Sequence, residues 1–82
     1  MLNERSYMRT TFNQDGAAIL DTERGVISTL NPTGAYIWQA LQDGASTDEV
    51  ILSLVRGTGE PIEMIERDVH EFLEALKGKG LL

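Results

Sequence analysis

The side chains that could carry out chemistry are few in this sequence. Thirteen Asp and Glu residues and a single histidine, His70, are the acid–base groups available, and there is no cysteine. A thiolate nucleophile is therefore excluded, and one histidine among scattered acids has no recognisable metal-ligand spacing. Gly57 and Gly59 lack the rest of a phosphate-binding loop.

The acidic residues recur at a helical spacing that is typical of a solvated surface. Two carboxylates can perform acid–base catalysis when they converge. Four glutamates instead fall on the outward side of the last predicted helix: Glu63, Glu66, Glu71 and Glu74. His70 lies on the polar flank of the same helix. We therefore predict that the protein is not an enzyme and that it needs no metal or other cofactor.

The composition predicts one small globular domain that spans residues 1–82. Hydrophobic residues make up 41% of the chain, and no apolar run approaches the length of a membrane span. A net charge of −6 repels phosphate backbones and anionic membranes, so neither nucleic acid nor a membrane is an expected partner. The lack of cysteine and of a signal-peptide pattern fits a cytoplasmic protein.

The first thirty residues have the pattern of three short strands. Tyr7–Phe12, Ala17–Leu20 and Val26–Leu30 are rich in β-branched, aromatic or other apolar residues. An Asp-Gly pair ending at Gly16 and a loop ending at Gly25 separate them. These runs predict an antiparallel meander with the first and third strands at its edges.

From residue 31 the hydrophobic period becomes helical. Asn31 can cap a first helix and Pro32 fits its first turn, Ser46 and Glu49 form a capping-box pattern, and Pro61 opens a third helix. The apolar positions are Gly34, Ile37, Trp38 and Leu41; Val50, Ile51, Leu54 and Val55; and Ile62, Ile65, Val69, Phe72, Leu73 and Leu76. The predicted fold is α+β: a winged-helix-like domain in which a three-stranded antiparallel β-meander precedes three α-helices.

The third strand, Val26–Leu30, poses a question because it contains neither charge nor proline. Natural proteins usually protect exposed sheet edges with lysine, proline or a bulge. Either the segment Met1–Ser6 covers this strand, or the strand stays open for a partner. A peptide that adds as a fourth strand would gain main-chain hydrogen bonds there. The residues alone leave both alternatives open.

The third helix is apolar on one flank beyond its core stripe. That flank consists of Pro61, Met64, Asp68 and Ala75, with Phe72 at its boundary. It could pack under the sheet or the first helix. Alternatively, it could form one wall of a groove beside the strand edge, with Met64 as adaptable surface and Asp68 as a hydrogen-bond acceptor.

Residues 25–41, GVISTLNPTGAYIWQAL, resemble the signature of the PqqD-like family. Its members are also called recognition elements of ribosomally made, modified peptides. Further similar stretches are Asp43-Gly44, Ser46–Val50, Arg67-Asp68-Val69, Phe72-Leu73, Leu76 and Gly80-Leu81-Leu82. The resemblance spans about residues 7–82. The loop Gly57-Thr58-Gly59 departs from it, since relatives commonly have an aromatic-containing helix end there.

The resemblance implies a binding module that holds the leader segment of a precursor peptide as an extra strand. In the family the leader lies against the third strand, in the cleft beside the third helix. The corresponding candidate peptide-binding residues are Val26, Ile27, Ser28, Thr29, Leu30, Met64, Ile65, Asp68, Phe72 and Ala75.

The wording LNPTGAYIW and the ending Gly80-Leu81-Leu82 look most like the free-standing members from lasso-peptide clusters. Those members deliver the precursor to a separate cysteine-protease-like leader peptidase, ahead of an ATP-dependent cyclase. The nearest alternative is the pyrroloquinoline-quinone chaperone of a radical-enzyme pathway. A winged-helix DNA-binding protein is a weaker alternative, because residues 60–77 carry six acids against Arg67 and Lys77.

Overall fold

The computed structural model describes residues 7–82, and over this part the predicted fold is confirmed. The elements are β1 (Met8–Asn13), β2 (Gly16–Asp21), β3 (Val26–Leu30), α1 (Pro32–Gln42), α2 (Thr47–Thr58) and α3 (Ile62–Gly78). The strands form an antiparallel sheet in the order β1-β2-β3, so β1 and β3 are its edges. The segment Met1–Ser6, one of the two predicted occupants of the β3 edge, lies outside the described residues.

Two glycines shape the turns of the meander. Gly25 ends the loop between β2 and β3 with φ of +66°, as its sequence position predicts. Gly16 begins β2 with φ of +131°, and a Cβ there would lie 1.9 Å from the Leu30 carbonyl oxygen. The start of β2 and the end of β3 therefore approach each other more closely than any side chain at position 16 allows.

The helix ends largely follow the predicted capping. The Asn31 side chain accepts from the Gly34 N–H at 2.7 Å, and Ser46 and Glu49 form a reciprocal capping box. The pair Gly57 and Gly59 is a sequence signal for the end of the second helix, and α2 continues through Gly57 to Thr58. The stop is Gly59, whose left-handed φ of +72° terminates the helix without steric cost.

The helices cover one face of the sheet with two contiguous clusters of buried side chains. One cluster joins the sheet to α1 and the end of α3: Met8, Ala17, Ile19, Leu30, Ala35, Trp38, Leu76 and Leu81. The other joins the three helices: Ile37, Leu41, Val50, Ile51, Ile65 and Val69. Phe72 and Leu73 pack against both clusters. Trp38 is fully buried and donates from Nε1 to Thr10 Oγ1 at 3.2 Å, so it is a packing residue.

The two faces of β3 differ in environment. Leu30 lies opposite the buried Ala17 and Ser28 opposite the buried Ile19, so these side chains face the helices. Ile27 points to the outer face of the sheet and is 66% exposed. Alternate residues of β3 therefore face the helices and the solvent.

Candidate peptide-binding site

The backbone directions of β2 follow from one contact beyond its end. The Thr22 N–H donates to the Tyr7 carbonyl at 2.8 Å, so the backbone of Thr22 points towards the β1 side of the sheet. Successive residues of a strand direct their N–H and C=O groups to opposite sides. Asp21, Ile19 and Ala17 therefore direct theirs towards β3.

The same alternation leaves part of the β3 backbone pointing away from the sheet. Ser28 lies opposite Ile19 and bonds to β2. Ile27 and Thr29 direct their N–H and C=O groups to the other side. In the sheet formed by residues 7–82, β3 has no neighbour on that side. Two donors and two acceptors are therefore presented at the edge, one of each from Ile27 and from Thr29.

The flank of α3 that is apolar beyond the core stripe faces solvent. Pro61, Met64, Asp68 and Ala75 are all exposed, and Phe72 is half-buried. The alternative in which this flank packs under the sheet or under α1 is therefore wrong. The flank borders a groove between α3 and β3, which we call the edge groove, and three cavities open along it.

The middle of the edge groove is a cavity of about 200 Å³ between the end of β3 and α3. We call it the central pocket. Thr29 and Leu30 line it on the strand side, and Phe72 and Ala75 line it on the helix side. Lys79, just beyond the end of α3, also lines it. Four of the predicted residues thus meet in one place, with an apolar floor and, in the described part of the chain, an open sheet edge beside it.

A second cavity, of about 360 Å³, lies where α3 faces the start of α1 and the end of α2. Ile65 and Phe72 supply apolar lining, and Glu60 and Asp68 supply two carboxylates. We call this cavity the acidic pocket. Ile65 is 6% exposed and belongs to the core, so it contributes to the floor of the pocket. Asn31, which follows β3, lines both this cavity and the central pocket and so connects them.

Gly34 positions the Phe72 ring between these two pockets. A Cβ on Gly34 would lie 2.8 Å from Cε1 of Phe72, closer than real side chains approach. The absence of a side chain on α1 is therefore what lets the ring lie at this point of the groove. The sequence interpretation treated Gly34 only as a position on the core face of α1, and missed this role.

The third cavity lies at the other end of the groove, beside Val26, Ile27 and Ser28, and we call it the loop-end pocket. Lys79 lines it as well, so it adjoins the central pocket. Met64 lines none of the three cavities. The other nine predicted residues each line at least one.

The loop between β2 and β3 is tied to the end of α3 at this third cavity. The buried Asp21 carboxylate accepts from the backbone N–H groups of Glu23 and Arg24 at 3.0 Å, and from Arg24 Nε at 2.7 Å. A second guanidinium nitrogen of Arg24 donates to the Lys79 carbonyl at 3.2 Å. The Arg24 backbone N–H, and then its guanidinium, lower the pKa of Asp21. The same ion pair raises the pKa of Arg24.

Other kinds of site find little support in the described part of the chain. Residues 7–82 contain no group of three or more His, Asp or Glu side chains placed to hold a metal ion. His70 is exposed, as predicted. None of the helices there is long and apolar enough to cross a membrane.

Comparison with known proteins finds two similar solved structures and one matching family model. The chain is similar to TbiB1 in complex with the TbiA(beta) leader peptide, at 25% identity over 99% of this chain and 94% of that one, with a TM-score of 0.88. It is also similar to a lasso peptide synthetase B1 complexed with the leader peptide, at 29% identity over 95% and 92% of the two chains, with a TM-score of 0.86. No curated protein matches. The family model described as coenzyme PQQ synthesis protein D (PqqD) matches residues 16–82, and the chain therefore belongs to the PqqD family.

Proposed function

We propose that this protein is a non-catalytic, cytoplasmic adaptor of lasso-peptide biosynthesis that binds the leader segment of a ribosomally made precursor peptide. The observation that carries the proposal is the edge of β3 beside the edge groove, which has no neighbouring strand within residues 7–82. It is supported by the two similar solved structures, both of which are complexes with leader peptides.

The leader binds by adding a fourth strand to β3. The outward N–H and C=O groups of Ile27 and Thr29 offer four hydrogen bonds, each worth about 1 kcal/mol net. Strand addition also provides hydrogen-bond partners for the backbone groups of a sheet edge that neither lysine nor proline protects. The absence of these protective residues from Val26–Leu30 thus has a functional explanation.

Side chains of the leader supply most of the remaining affinity. One or two apolar anchors in the central and acidic pockets would each contribute about 1.5–3 kcal/mol. Ordering a disordered leader opposes these gains. We expect a dissociation constant between roughly 1 μM and tens of nanomolar.

The proposed partners downstream are a cysteine-protease-like leader peptidase and an ATP-dependent cyclase. A PqqD-type chaperone of a radical-enzyme pathway is the second candidate, favoured by the description of the matching family model. Both candidates bind a leader, and they differ in the enzyme that receives it. A peptidase and cyclase encoded beside this chain would support the first candidate, and a radical enzyme there would support the second.

The direct test is a binding assay with the precursor peptide encoded beside this chain. Fluorescence anisotropy should show binding of the isolated leader segment and of the full precursor with similar affinity, and none of the core segment alone. Equal binding of core and leader, or binding of neither, would contradict the proposal.

The competing occupant of the β3 edge, Met1–Ser6, is tested in the same assay. A chain without residues 1–6 should bind the leader with unchanged affinity if the edge is open. A large gain in affinity on removing them would show that this segment competes for β3.

A further inference from the structure

The edge groove carries opposite charges at different points along its length. Glu60 and Asp68 line the acidic pocket, whereas Lys79 lines the central and loop-end pockets. Within residues 7–82 the ion pairs are Asp21 with Arg24 and Glu74 with Lys77. Glu60, Asp68 and Lys79 therefore have no ionic partner in the described chain and are available to a ligand.

The distance between the two charges can be expressed in residues of an extended peptide. Asp68 and Lys79 are eleven positions apart along and just beyond α3, which at 1.5 Å per residue is about 16 Å. An extended strand advances about 3.3 Å per residue. A strand that lies along the groove therefore passes from one charge to the other in about five residues.

The direction of such a strand follows from the sheet. Both existing pairings are antiparallel, and antiparallel pairing is slightly more stable per residue than parallel pairing. The acidic pocket lies beyond the end of β3, which it adjoins through Asn31, whereas Lys79 lies beside β3 itself, in the central and loop-end pockets. An antiparallel strand thus enters at the acidic pocket and leaves towards Lys79.

We propose, resting on the proposed function, that the leader carries a Lys or Arg about four or six residues before an Asp or Glu, since only an even separation directs both side chains to the same face of the strand. The basic side chain lies against Asp68 and Glu60, and the acidic one lies against Lys79. This pair fixes the register of the leader on β3, since charges select orientation and partner more than they add affinity. Because these groups are solvated, each of the two charge contacts should change the affinity for the leader by roughly two- to fivefold at low salt, and by less at high salt.

The test uses a display library of random peptides, each about twelve residues long, which is enough to span the groove. Binding peptides are selected from it on three proteins: the wild-type chain, the charge swap Asp68→Lys with Lys79→Glu, and a control swap, Glu66→Lys with Lys77→Glu. The control swap changes the polar flank of α3, and both double variants keep the net charge. Selected peptides are then checked by NMR for shifts of the Ile27 and Thr29 amides.

We expect wild type and control to select a basic residue about four or six positions before an acidic one, and the groove swap to select the reverse order. A wild-type peptide should bind the groove swap roughly tenfold more weakly. Peptides that shift the β3 amides without a charge pattern, or with the same pattern on all three proteins, would overturn this inference and leave leader binding standing. The reverse order on wild type would also overturn it. Selected peptides that leave the β3 amides unshifted would contradict the proposed function itself.

Discussion

Gly34 and Phe72 show how one missing side chain shapes the groove. The Phe72 ring separates the central pocket from the acidic pocket, and it lies there because Gly34 has no Cβ to displace it. Gly34 lies in the first turn of α1, where a glycine costs up to about 1 kcal/mol relative to alanine. The contact with Phe72 is the physical reason for a glycine at this position of α1.

Gly34→Ala should therefore weaken leader binding without unfolding the protein. The Phe72 ring has to move into the groove, and we expect an affinity loss of at least about fivefold, equivalent to about 1 kcal/mol. Helix propensity and the displaced ring oppose each other, so the melting temperature should change little. Gly57→Ala is the matched control, because a Cβ there meets nothing within 4 Å. It should stabilise the fold and leave affinity unchanged; equal affinity losses in both variants would refute this role of Gly34.

At this scale the sequence predicts which side of a helix a residue occupies, but not what it touches. The helical period of α3 placed Asp68 on the flank beside Phe72, and the structure exposes Asp68 there. Gly34 and Phe72 are 38 positions apart, and their contact depends on how α1 and α3 pack. No local pattern in the sequence carries that information.

Among the elements, the five residues of β3 combine a side that bonds to β2 with a side that has no partner strand in residues 7–82. Ser28 bonds to β2, whereas Ile27 and Thr29 present their backbone outward. A proline has no backbone N–H, so it removes one donor from the side of the strand to which that residue directs its backbone groups. Proline substitutions at adjacent positions therefore distinguish the two sides.

Thr29→Pro should reduce leader affinity by about 1 kcal/mol or more, because an outward donor is lost and the edge is disturbed. The sheet should remain folded, since edge positions tolerate proline. Ser28→Pro removes a bond to β2, and should lower the melting temperature substantially. Thermal unfolding and anisotropy on both variants provide the readout. Unchanged leader affinity in a folded Thr29→Pro variant would exclude β3 as the binding strand.

The loop between β2 and β3 adds a dependence on pH. The Arg24 backbone N–H and guanidinium lower the pKa of Asp21 from its ordinary value of 3.8. A lowered folded-state pKa stabilises the fold above the ordinary value, and this stabilisation is lost as pH falls through the folded-state value. The free energy of unfolding, measured with denaturant at pH 7 and at acid pH, should therefore decline below about pH 4.

Asp21→Asn should flatten part of that decline, since the amide does not titrate. Some decline remains in this variant because backbone and side-chain hydrogen bonds from Ser46 also lower the pKa of Glu49. Parallel stability curves for Asp21→Asn and wild type would show that the Asp21–Arg24 contact contributes nothing to acid sensitivity.

Element types follow from local patterns more reliably than element ends do. The bounds of β3 were predicted as observed, because charged or turn-forming residues flank it on both sides. β2 extends one residue beyond its predicted apolar run at each end, since backbone pairing continues through Gly16 and Asp21. α2 passes through Gly57, because helical hydrogen bonding there outweighs the low propensity of a single glycine.

For the molecule as a whole, the positions of its exposed strand edge and exposed helix flank explain which kind of partner fits. The helices bury one face of the sheet and leave the β3 edge and one flank of α3 exposed together. The residue patterns predict each feature separately, and only the family resemblance implies that they adjoin, because their adjacency depends on tertiary packing. A net charge of −6, with acids along exposed α3, disfavours duplex DNA as a ligand of this winged-helix-like fold.

The central claim is that a peptide completes the sheet at β3, and amide hydrogen exchange measured by NMR tests it most directly. Saturation with the leader should slow the exchange of the Ile27 and Thr29 amides, because each gains a hydrogen bond. The Ser28 amide, already bonded to β2, should change much less. Slowed exchange confined to other surfaces, with Ile27 and Thr29 exchanging as fast as in the free protein, would contradict the account.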